Sequence, residues 1–378
     1  MPWIDCKLGD VLTLKRGYDL PHRERREGSI PIVSSSGVSG SHEEAKVSAP
    51  GVVTGRYGTL GGVFYLEQPF WPLNTTLYVQ DFKDNHPRFV AYFLQTLGLA
   101  SLSAAAAVPG LNRNHLHLLP VRIPPPQIQR KIASVLSAYD DLIENNNRRI
   151  KILEEMAQNL YREWFVKFRF PGHENNRMVD SPLGEIPEGW EVVSLKAASV
   201  NFDRKRVPLS SMQREEIQGT FPYYGAAKVL DHVNDYIFDG RYLLVAEDGS
   251  VITPDGYPVL QIATKKFWVN NHAHVLQGEA PFSVDYLYLT LSRVAIAGYM
   301  TGAAQPKITQ ANLNRIPVLK PSSGLLEAFG SMSGPLFRLT DTLHERNSVL
   351  CQTRDLLLPR LISGEVDVSE VETVTEDG

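Results

Sequence analysis

The chain has 378 residues, of which 43% are hydrophobic and 21% charged, and its formal net charge is −4. This length exceeds one ordinary hydrophobic core and fits two or three domains of a soluble globular protein. Six acidic residues and no Lys or Arg follow position 364, and without them the net charge becomes +2. A weakly positive body is compatible with DNA binding but does not require it.

The cysteines and the apolar segments indicate the compartment. Cys6 and Cys351 are the only two cysteines and form no CxxC pair. This usage fits a reducing compartment and excludes a cysteine zinc site within the chain. The first residues lack the basic and apolar pattern of a signal peptide, and the apolar stretch 100–108 is too short to span a membrane. The sequence therefore predicts a cytoplasmic protein without membrane contact.

The sequence contains an internal repeat. Trp3 matches Trp190 with an offset of 187 residues, and Gly58 matches Gly249 with an offset of 191. From Trp71 onward the offset is 197 and stays constant to the end of the repeat. Chance matches scatter over many offsets, whereas these rise in steps and then remain fixed. We therefore expect two similar domains in tandem.

Each copy has the same predicted order of elements. Short β-like runs broken by Gly, Pro and Ser come first, then a helix, a proline-marked extended piece and a long helix. The predicted strands are 31–33, 51–54, 63–66 and 77–79 in the first copy and 222–224, 242–246, 259–262 and 274–276 in the second. The shorter helices are predicted at 88–102 and 285–297, and the extended pieces at 119–124 and 316–321. The fold class is α+β, with two β-rich domains that are each followed by a long helix.

Apolar residues in both long helices recur in alternating steps of four and three, the 3.5-residue repeat of a coiled coil. Because a small β-rich domain cannot bury such a stripe, we expect the two helices to pack together as an antiparallel coiled coil. Two similar but unequal heads on such a support suit two unequal half-sites on duplex DNA. The predicted seam residues are Ile128, Ile132, Val135, Tyr139, Leu142, Asn146, Leu153, Leu336, Leu339, Leu343, Leu350 and Leu357.

Two positions in these helices depart from the apolar pattern. Asn146 matches Leu343 of the second copy, and it either fixes the register of the seam or lies in a solvated, weakened turn. Gly330 and Gly334 weaken the start of the second helix, so we expect that helix to begin properly only at Pro335.

The central run 124–132, Pro-Pro-Pro-Gln-Ile-Gln-Arg-Lys-Ile, resembles the start of the central conserved region of type I restriction-modification specificity subunits. Segments 184–190 and 358–365 resemble the same family, and the resemblance covers nearly the whole chain. The second copy departs from it at 321–324, where the Pro-Pro and Gln-Arg elements are missing.

The resemblance implies two target recognition domains, each reading one part of a split, asymmetric DNA site. It implies that the long helices dock two modification subunits, which bind S-adenosylmethionine and methylate adenine, and that restriction subunits using ATP and Mg can join them. The chain itself would then carry no cofactor, no metal and no catalytic residue. The predicted boundaries are 1–123 for the first recognition domain, 124–167 for the central helix, 168–189 for a linker, 190–320 for the second recognition domain, 321–364 for the distal helix and 365–378 for an acidic, disordered tail.

The motifs of the partners' chemistry are missing from the sequence. It contains no GxxxxGK[ST] loop, no Asn/Asp-Pro-Pro-aromatic motif, no GxSxG and no HExxH. The pairs His115/His117 and His272/His274 have a spacing that could place two imidazoles on one strand face. Because metal sites need three or four donors, we expect ordinary strand or surface histidines instead.

Candidate DNA contacts are basic clusters and glycine-flanked loops in the two heads. Arg and Lys neutralise phosphates, and Arg also pairs with guanine, whereas a solvated basic loop is the alternative interpretation. The Arg56-Tyr57 pair is replaced by Glu247-Asp248 in the second copy, so the two loops would read different bases. The tyrosines either contact bases or pack. The candidates are Arg23, Arg25, Arg26, Arg56, Tyr57, Arg113, Arg204, Lys205, Arg206, Tyr223, Tyr224 and Lys307.

Two other functions remain open on the sequence. One is a specificity subunit that serves a methyltransferase system without a nuclease. The other is a coiled-coil scaffold whose heads bind proteins, which would show no salt-dependent DNA binding.

Overall fold

The computed structural model of the chain describes residues 3–104, 110–302 and 305–371. These residues form two compact units. Unit 1 takes the residues up to Asn145 and those from Arg346 onward, and unit 2 takes Asn146 to Glu345. The long helices Pro126–Tyr161 and Ser323–Ser363 are therefore each divided between the two units.

Unit 1 contains three sheets. Ile4–Lys7 pairs antiparallel with Pro120–Ile123. The second sheet is antiparallel, in the order Thr13–Arg16, Thr76–Asp81, Gly51–Gly55 and Val63–Leu66. The third has the order Gly37–His42, Ile30–Ser34 and Trp71–Pro72. The helices are Leu8–Val11, Pro87–Thr96, Leu99–Ala104 and Arg113–His117, with a 3₁₀ turn at His22–Glu24.

Unit 2 repeats this plan. Glu191–Ser194 pairs antiparallel with Pro317–Lys320. One four-stranded sheet has the order Ser199–Asn201, Ala273–Gly278, Tyr242–Ala246 and Leu260–Ala263, and the other Val229–Val233, Gln218–Tyr224, Lys266–Val269 and Phe238–Asp239. The helices are Leu195–Ala198, Ser211–Glu216, Val284–Leu291 and Gln310–Asn314, with 3₁₀ turns at His173–Asn175, Asp203–Lys205 and Ile296–Tyr299 and a π turn at Arg162–Val166.

The predicted strands all overlap observed strands, but three of the predicted helices differ from the observed ones. The helix expected at 88–102 is interrupted at Gly98, whose φ of +61° is left-handed, and the one expected at 285–297 ends at Leu291. The second long helix begins at Ser323, so the expected start at Pro335 is wrong. The segment 168–189 contains the hairpin Met178–Ser181 with Gly184–Pro187.

Within each unit, the segments of the two long helices pack antiparallel. In unit 1, Arg354 binds Asp140 with Nη1 2.7 Å from Oδ1, and Leu361 shares the core with Ile132. As the numbering rises along one segment it falls along the other. In unit 2, the rings of Phe165 and Phe329 lie 4.9 Å apart, at the end of the first helix and near the start of the second.

The buried seam of the first long helix differs from the predicted one. Positions 132, 139, 146 and 153 belong to the buried seam, as predicted. At the seam positions between them, the buried residue is the one that follows the predicted residue. Leu136 and Ile150 are buried, whereas Leu142 is 52% exposed. Asn146 is only 9% exposed within a continuous helix, so the interpretation as a solvated turn is wrong.

The second long helix shows the same shift of one residue. Leu343 is fully buried and Leu336, Leu350 and Leu357 are partly buried, but Leu339 is 37% exposed. The alternate seam positions in this helix are mostly polar, and they are Ser333, Thr340, Asn347, Arg354 and Leu361. An apolar pattern could not find them.

The start of the acidic tail is packed. Val368 is 4% exposed in the core of unit 1, and the Val366 amide donates to the Arg360 carbonyl at 3.1 Å. The expected disorder is therefore wrong for 365–371, and 372–378 lie outside the described residues. Over those described residues, no helix is both long enough and apolar enough to span a bilayer.

The observed seam can be tested with two matched leucines of the first long helix. We expect Leu136→Ala to lower the free energy of unfolding by about 2–5 kcal/mol, because it removes a fully buried side chain. Leu142→Ala should change it by less than about 0.5 kcal/mol, because that side chain is half exposed. Urea unfolding followed by tryptophan fluorescence measures both, and equal losses would contradict the shifted seam.

Candidate nucleic-acid interface

A concave surface in unit 1 brings together three arginines from different elements. Arg16 ends the strand Thr13–Arg16, Arg56 directly follows Gly51–Gly55, and Arg113 begins the helix Arg113–His117. The cleft encloses about 570 Å³, and its lining also includes Tyr57 and several leucines but no carboxylate. We call it the arginine cleft.

The backbone fixes the position of Arg56 in this cleft. Its amide donates to the Thr75 carbonyl at 2.8 Å, and its carbonyl accepts from the Leu111 amide at 2.9 Å. The guanidinium lies over the Tyr57 ring, with Cζ 4.5 Å from the ring centroid. A Cβ at Gly110 would stand 2.3 Å from a carbon of that ring, so only glycine allows the tyrosine to lie there. The stacked pair is thus held on two sides.

The arginine cleft carries little compensating negative charge. Among the described residues, neither Arg56 nor Arg113 has a carboxylate within salt-bridge distance. Arg16 has one, Asp19 at 3.7 Å, but their side chains are 50% and 70% exposed, and such pairs contribute little. Guanidinium groups without a strong carboxylate partner can bind phosphate oxygens or the O6 and N7 atoms of guanine.

In unit 2, Glu247 occupies the backbone position that Arg56 has in unit 1. Its amide donates to the His272 carbonyl and its carbonyl accepts from the Ile308 amide, both at 2.8 Å. These partners are the repeat counterparts of Thr75 and Leu111, at the offset of 197. The same hydrogen bonds therefore present an arginine in one unit and a carboxylate in the other.

The carboxylate of Glu247 is bound by two cations. Arg206 Nη1 lies 2.6 Å from Oε2, and Lys307 Nζ lies 3.1 Å from Oε1. Burial by itself raises the pKa of Glu247, but Arg206, His274 and Lys307 outweigh it, and the pKa lies below its ordinary value. Glu247 is therefore ionised and neutralised within the unit.

His274 completes this network beside Asp203. Its Nε2 donates to the Ile308 carbonyl at 2.8 Å, and its Nδ1 lies 2.6 Å from Asp203 Oδ2. Burial raises the pKa of Asp203, but the hydrogen bond and charge of His274 and the Val275 amide lower it further than burial raises it. The ring of His274 is therefore held by a hydrogen-bond partner at each of its two nitrogens.

Comparison with known proteins identifies the family. Residues 2–155 and 187–323 each match the model of the type I restriction modification DNA specificity domain. The chain belongs to this family. The two matches coincide with the two copies of the internal repeat, so the chain has two specificity domains in tandem.

Individual relatives agree with the family model. A type I restriction enzyme specificity subunit of Methanocaldococcus jannaschii is 27% identical over 293 residues, which are 72% of this chain and 66% of the relative. A putative specificity subunit of Haemophilus influenzae is 36% identical over 148 residues, 39% of this chain and 37% of that protein. The chain thus spans less than two thirds of the length of either curated relative.

A solved structure shares the fold of this specificity-family chain. The type I restriction-modification S subunit from M. genitalium matches with a TM-score of 0.64 at 17% identity, over 96% of both chains. At this identity the match supports the architecture of two β-rich domains with long helices.

Several predicted contacts of the specificity chain are turned inward. Arg206 is 13% exposed, in the network with Glu247, and Tyr223 is 1% exposed, with its hydroxyl accepting from the Leu209 amide at 2.9 Å. DNA contact is therefore wrong for these two side chains. Tyr224 packs with its ring 5.6 Å from that of Phe267, and burial raises its pKa. Both tyrosines thus pack within unit 2, and base contact by the partly buried Tyr224 stays a prediction.

The other basic candidates lie on the surface, away from the lining of the arginine cleft. Arg23 is 85% exposed, and Arg26 binds Glu43 at 2.5 Å. The Arg25 Nε is buried and has no hydrogen-bond partner among the described residues. In unit 2, Arg204 and Lys205 are exposed, whereas Lys307 is half exposed and bound to Glu247. The exposed positions stay predictions. Arg16 was not predicted, because its proximity to Arg56 depends on the order of strands in the sheet.

The histidine pairs do not form the arrangement that their spacing suggested. His115 and His117 lie on a helix, where residues two apart do not face each other. His117 Nε2 accepts from the Leu14 amide at 2.9 Å, and burial, Arg113 and Lys83 lower its pKa.

His274 instead belongs to the one group of described residues whose geometry suits a cation. Asp203, Glu247 and His274 place ligand atoms within 4.8 Å of one another. Because Arg206 and Lys307 already bind Glu247 in this group, we interpret it as an ion-pair network.

The low pKa values of Asp203 and Glu247 predict how unit 2 responds to acid. A carboxylate whose pKa is depressed in the folded state contributes stability above its unfolded pKa, about 3.9 for Asp, and loses it as the pH falls through the folded value. We expect Asp203→Asn to lower the unfolding temperature at pH 7, and the difference from wild type to shrink below about pH 4. Thermal unfolding between pH 7 and pH 3 measures this, with the exposed Glu27→Gln as control. A difference independent of pH would contradict the ion-pair role.

Proposed function

We propose that this chain selects the DNA sequence for a type I restriction-modification complex. Each unit reads one half of a bipartite site, and the two halves differ because the two copies of the repeat differ in sequence. The observation that carries the proposal is the arginine cleft, a concave surface with three guanidinium groups and no carboxylate in its lining. Together with membership of the DNA specificity family, it favours a nucleic-acid ligand over a protein one.

We propose further that the long helices dock two modification subunits. Apolar side chains away from the buried seam remain exposed on both helices, and a partner that covered them would remove this surface from water. Among them are Leu142, Ile152, Met156, Val349 and Leu356, between 49% and 71% exposed.

The chemistry would belong to the partners. S-adenosylmethionine would be bound by the modification subunits, and ATP and Mg by restriction subunits where these join. The chain would act as the non-catalytic subunit that directs methylation and cleavage to its site.

The proposal predicts a methylation pattern that depends on this chain. In cells carrying the modification partner, genome-wide adenine methylation should show a split, asymmetric motif that disappears when the chain is deleted and returns when it is restored. Long-read sequencing of the three strains gives the motif and its spacer together. Methylation that is unchanged by the deletion would favour the protein-binding scaffold.

The length of the long helices should set the spacer between the half-sites. Removing two heptads from each helix should change the number of bases between the half-sites and leave the bases within them unchanged, because the reading side chains lie outside the helices. The same sequencing experiment measures this in a strain carrying the shortened chain. A motif with its original spacing would contradict the role of the helices as a ruler.

A further inference from the structure

We propose that the arginine cleft of unit 1 binds the sugar-phosphate backbone of the first half-site, and that the equivalent position in unit 2 is closed to phosphate. The two units would therefore hold DNA by different electrostatic means. This inference rests on the proposed function, and it adds Arg16, Arg56 and Arg113 as its phosphate-binding residues.

The equivalence of the two positions follows from strand register. In unit 1, Thr54 pairs with Leu77, and in unit 2, Val245 pairs with His274. Arg56 lies two residues after Thr54, and Glu247 lies two residues after Val245. Each of the two makes the same two backbone hydrogen bonds. A difference in the side chain is therefore a difference in chemistry at one place in the fold.

The charges at this place are unbalanced in unit 1 and balanced in unit 2. Arg16 also has a counterpart, since the offset of 187 aligns it with Asp203. Asp203 and Glu247 are held by Arg206, Lys307 and His274, and the side chains of Arg206 and His274 are 13% and 1% exposed. A phosphate approaching this site meets two carboxylates whose cations are already bound. In unit 1 the matching positions offer guanidinium groups to solvent.

The shape of the arginine cleft favours a backbone segment over a single base edge. Its three cations come from three separate elements around a volume of about 570 Å³, and a run of successive phosphates offers each of them an anionic partner. Leu77, Leu111 and Leu116 are buried beneath it and form an apolar floor. An apolar floor lowers the local dielectric and strengthens attraction between the guanidinium groups and phosphates.

The test measures the salt dependence of DNA binding by the chain in complex with its modification subunits. The triple variant Arg16→Gln, Arg56→Gln, Arg113→Gln removes the cleft's charge from side chains that are at least partly exposed. We expect the slope of log K against log salt to become shallower by about 0.9 for each phosphate that is no longer neutralised, which amounts to about 2.7 for three phosphates. The preference among single-base variants of the first half-site should stay within about twofold, because phosphate contacts carry no sequence information.

Two controls separate a local contact from a general loss of charge. Lys7→Gln, Arg122→Gln and Arg130→Gln together remove three exposed charges of unit 1 outside the cleft, and they should leave the slope within about 0.5 of wild type. Lys307→Gln removes the half-exposed cation at the equivalent place in unit 2, and it should also leave the slope unchanged. An equal change in the first control, or a drop of about 0.9 for Lys307→Gln, would overturn the proposal.

The remaining outcomes distinguish this inference from the proposed function. A triple variant with the wild-type slope, in a complex that still prefers its site, overturns the inference alone. Loss of discrimination at one base by more than about fivefold shows a base contact and overturns the backbone assignment. A wild-type complex that does not prefer its methylated motif over scrambled DNA overturns the proposed function itself.

Discussion

The pairing of the central strands in each unit is the constraint on which the candidate interface depends. Gly51–Gly55 hydrogen-bonds to Thr76–Asp81 in unit 1, and Tyr242–Ala246 hydrogen-bonds to Ala273–Gly278 in unit 2, with the same register. A slip of one residue would turn every side chain of the strand to the other face. Because the register is kept, the residue that follows the strand emerges at the same place in both units. The fold thus gives this residue the same backbone position in both units, whereas its side chain differs between them.

The side chain at that position determines which partners the neighbouring charged residues bind. A carboxylate that is largely removed from water must be paired, and in unit 2 Glu247 takes Arg206 and Lys307 for this purpose. Arg206 is therefore withdrawn from the surface, although its sequence neighbours Arg204 and Lys205 remain exposed. In unit 1, Arg56 needs no counterion because its guanidinium stacks on Tyr57 and faces solvent. Because unit 1 has Arg56 where unit 2 has Glu247, the site in unit 2 is an ion-pair network and the site in unit 1 is an exposed cationic surface.

The duplicated fold could be predicted well from the sequence, because each predicted strand could be compared with its counterpart in the other copy of the repeat. The strand Tyr242–Ala246 was predicted with its observed bounds, and the seam positions Ile132 and Leu343 are buried. The alternate seam positions were missed because Ser333 and Thr340 are polar, while the neighbouring Leu339 looked like a seam residue. Their burial depends on the partner segment, which no single helix pattern encodes.

The candidate site was only partly predictable for a related reason. Arg56 and Arg113 were found from local signals, a glycine-flanked loop and a basic side chain. Arg16 was missed because its place beside them requires knowing that Thr13–Arg16 is the edge strand next to Thr76–Asp81. Tyr223 was left open between base contact and packing, because the sequence of a predicted strand does not show which side of it is buried. Contacts between distant parts of the chain decided both cases.

The division of the chain into units follows from the antiparallel helices rather than from the order of the repeat. A linear reading assigns each long helix to the recognition domain that precedes it. Arg354 and Leu361 of the second long helix instead pack in unit 1, together with Val368 beyond it. A recognition domain is therefore completed by residues from the opposite end of the sequence. Since the end of the second helix buries part of the first domain's core, the two halves of the repeat are linked by packing as well as by the peptide chain.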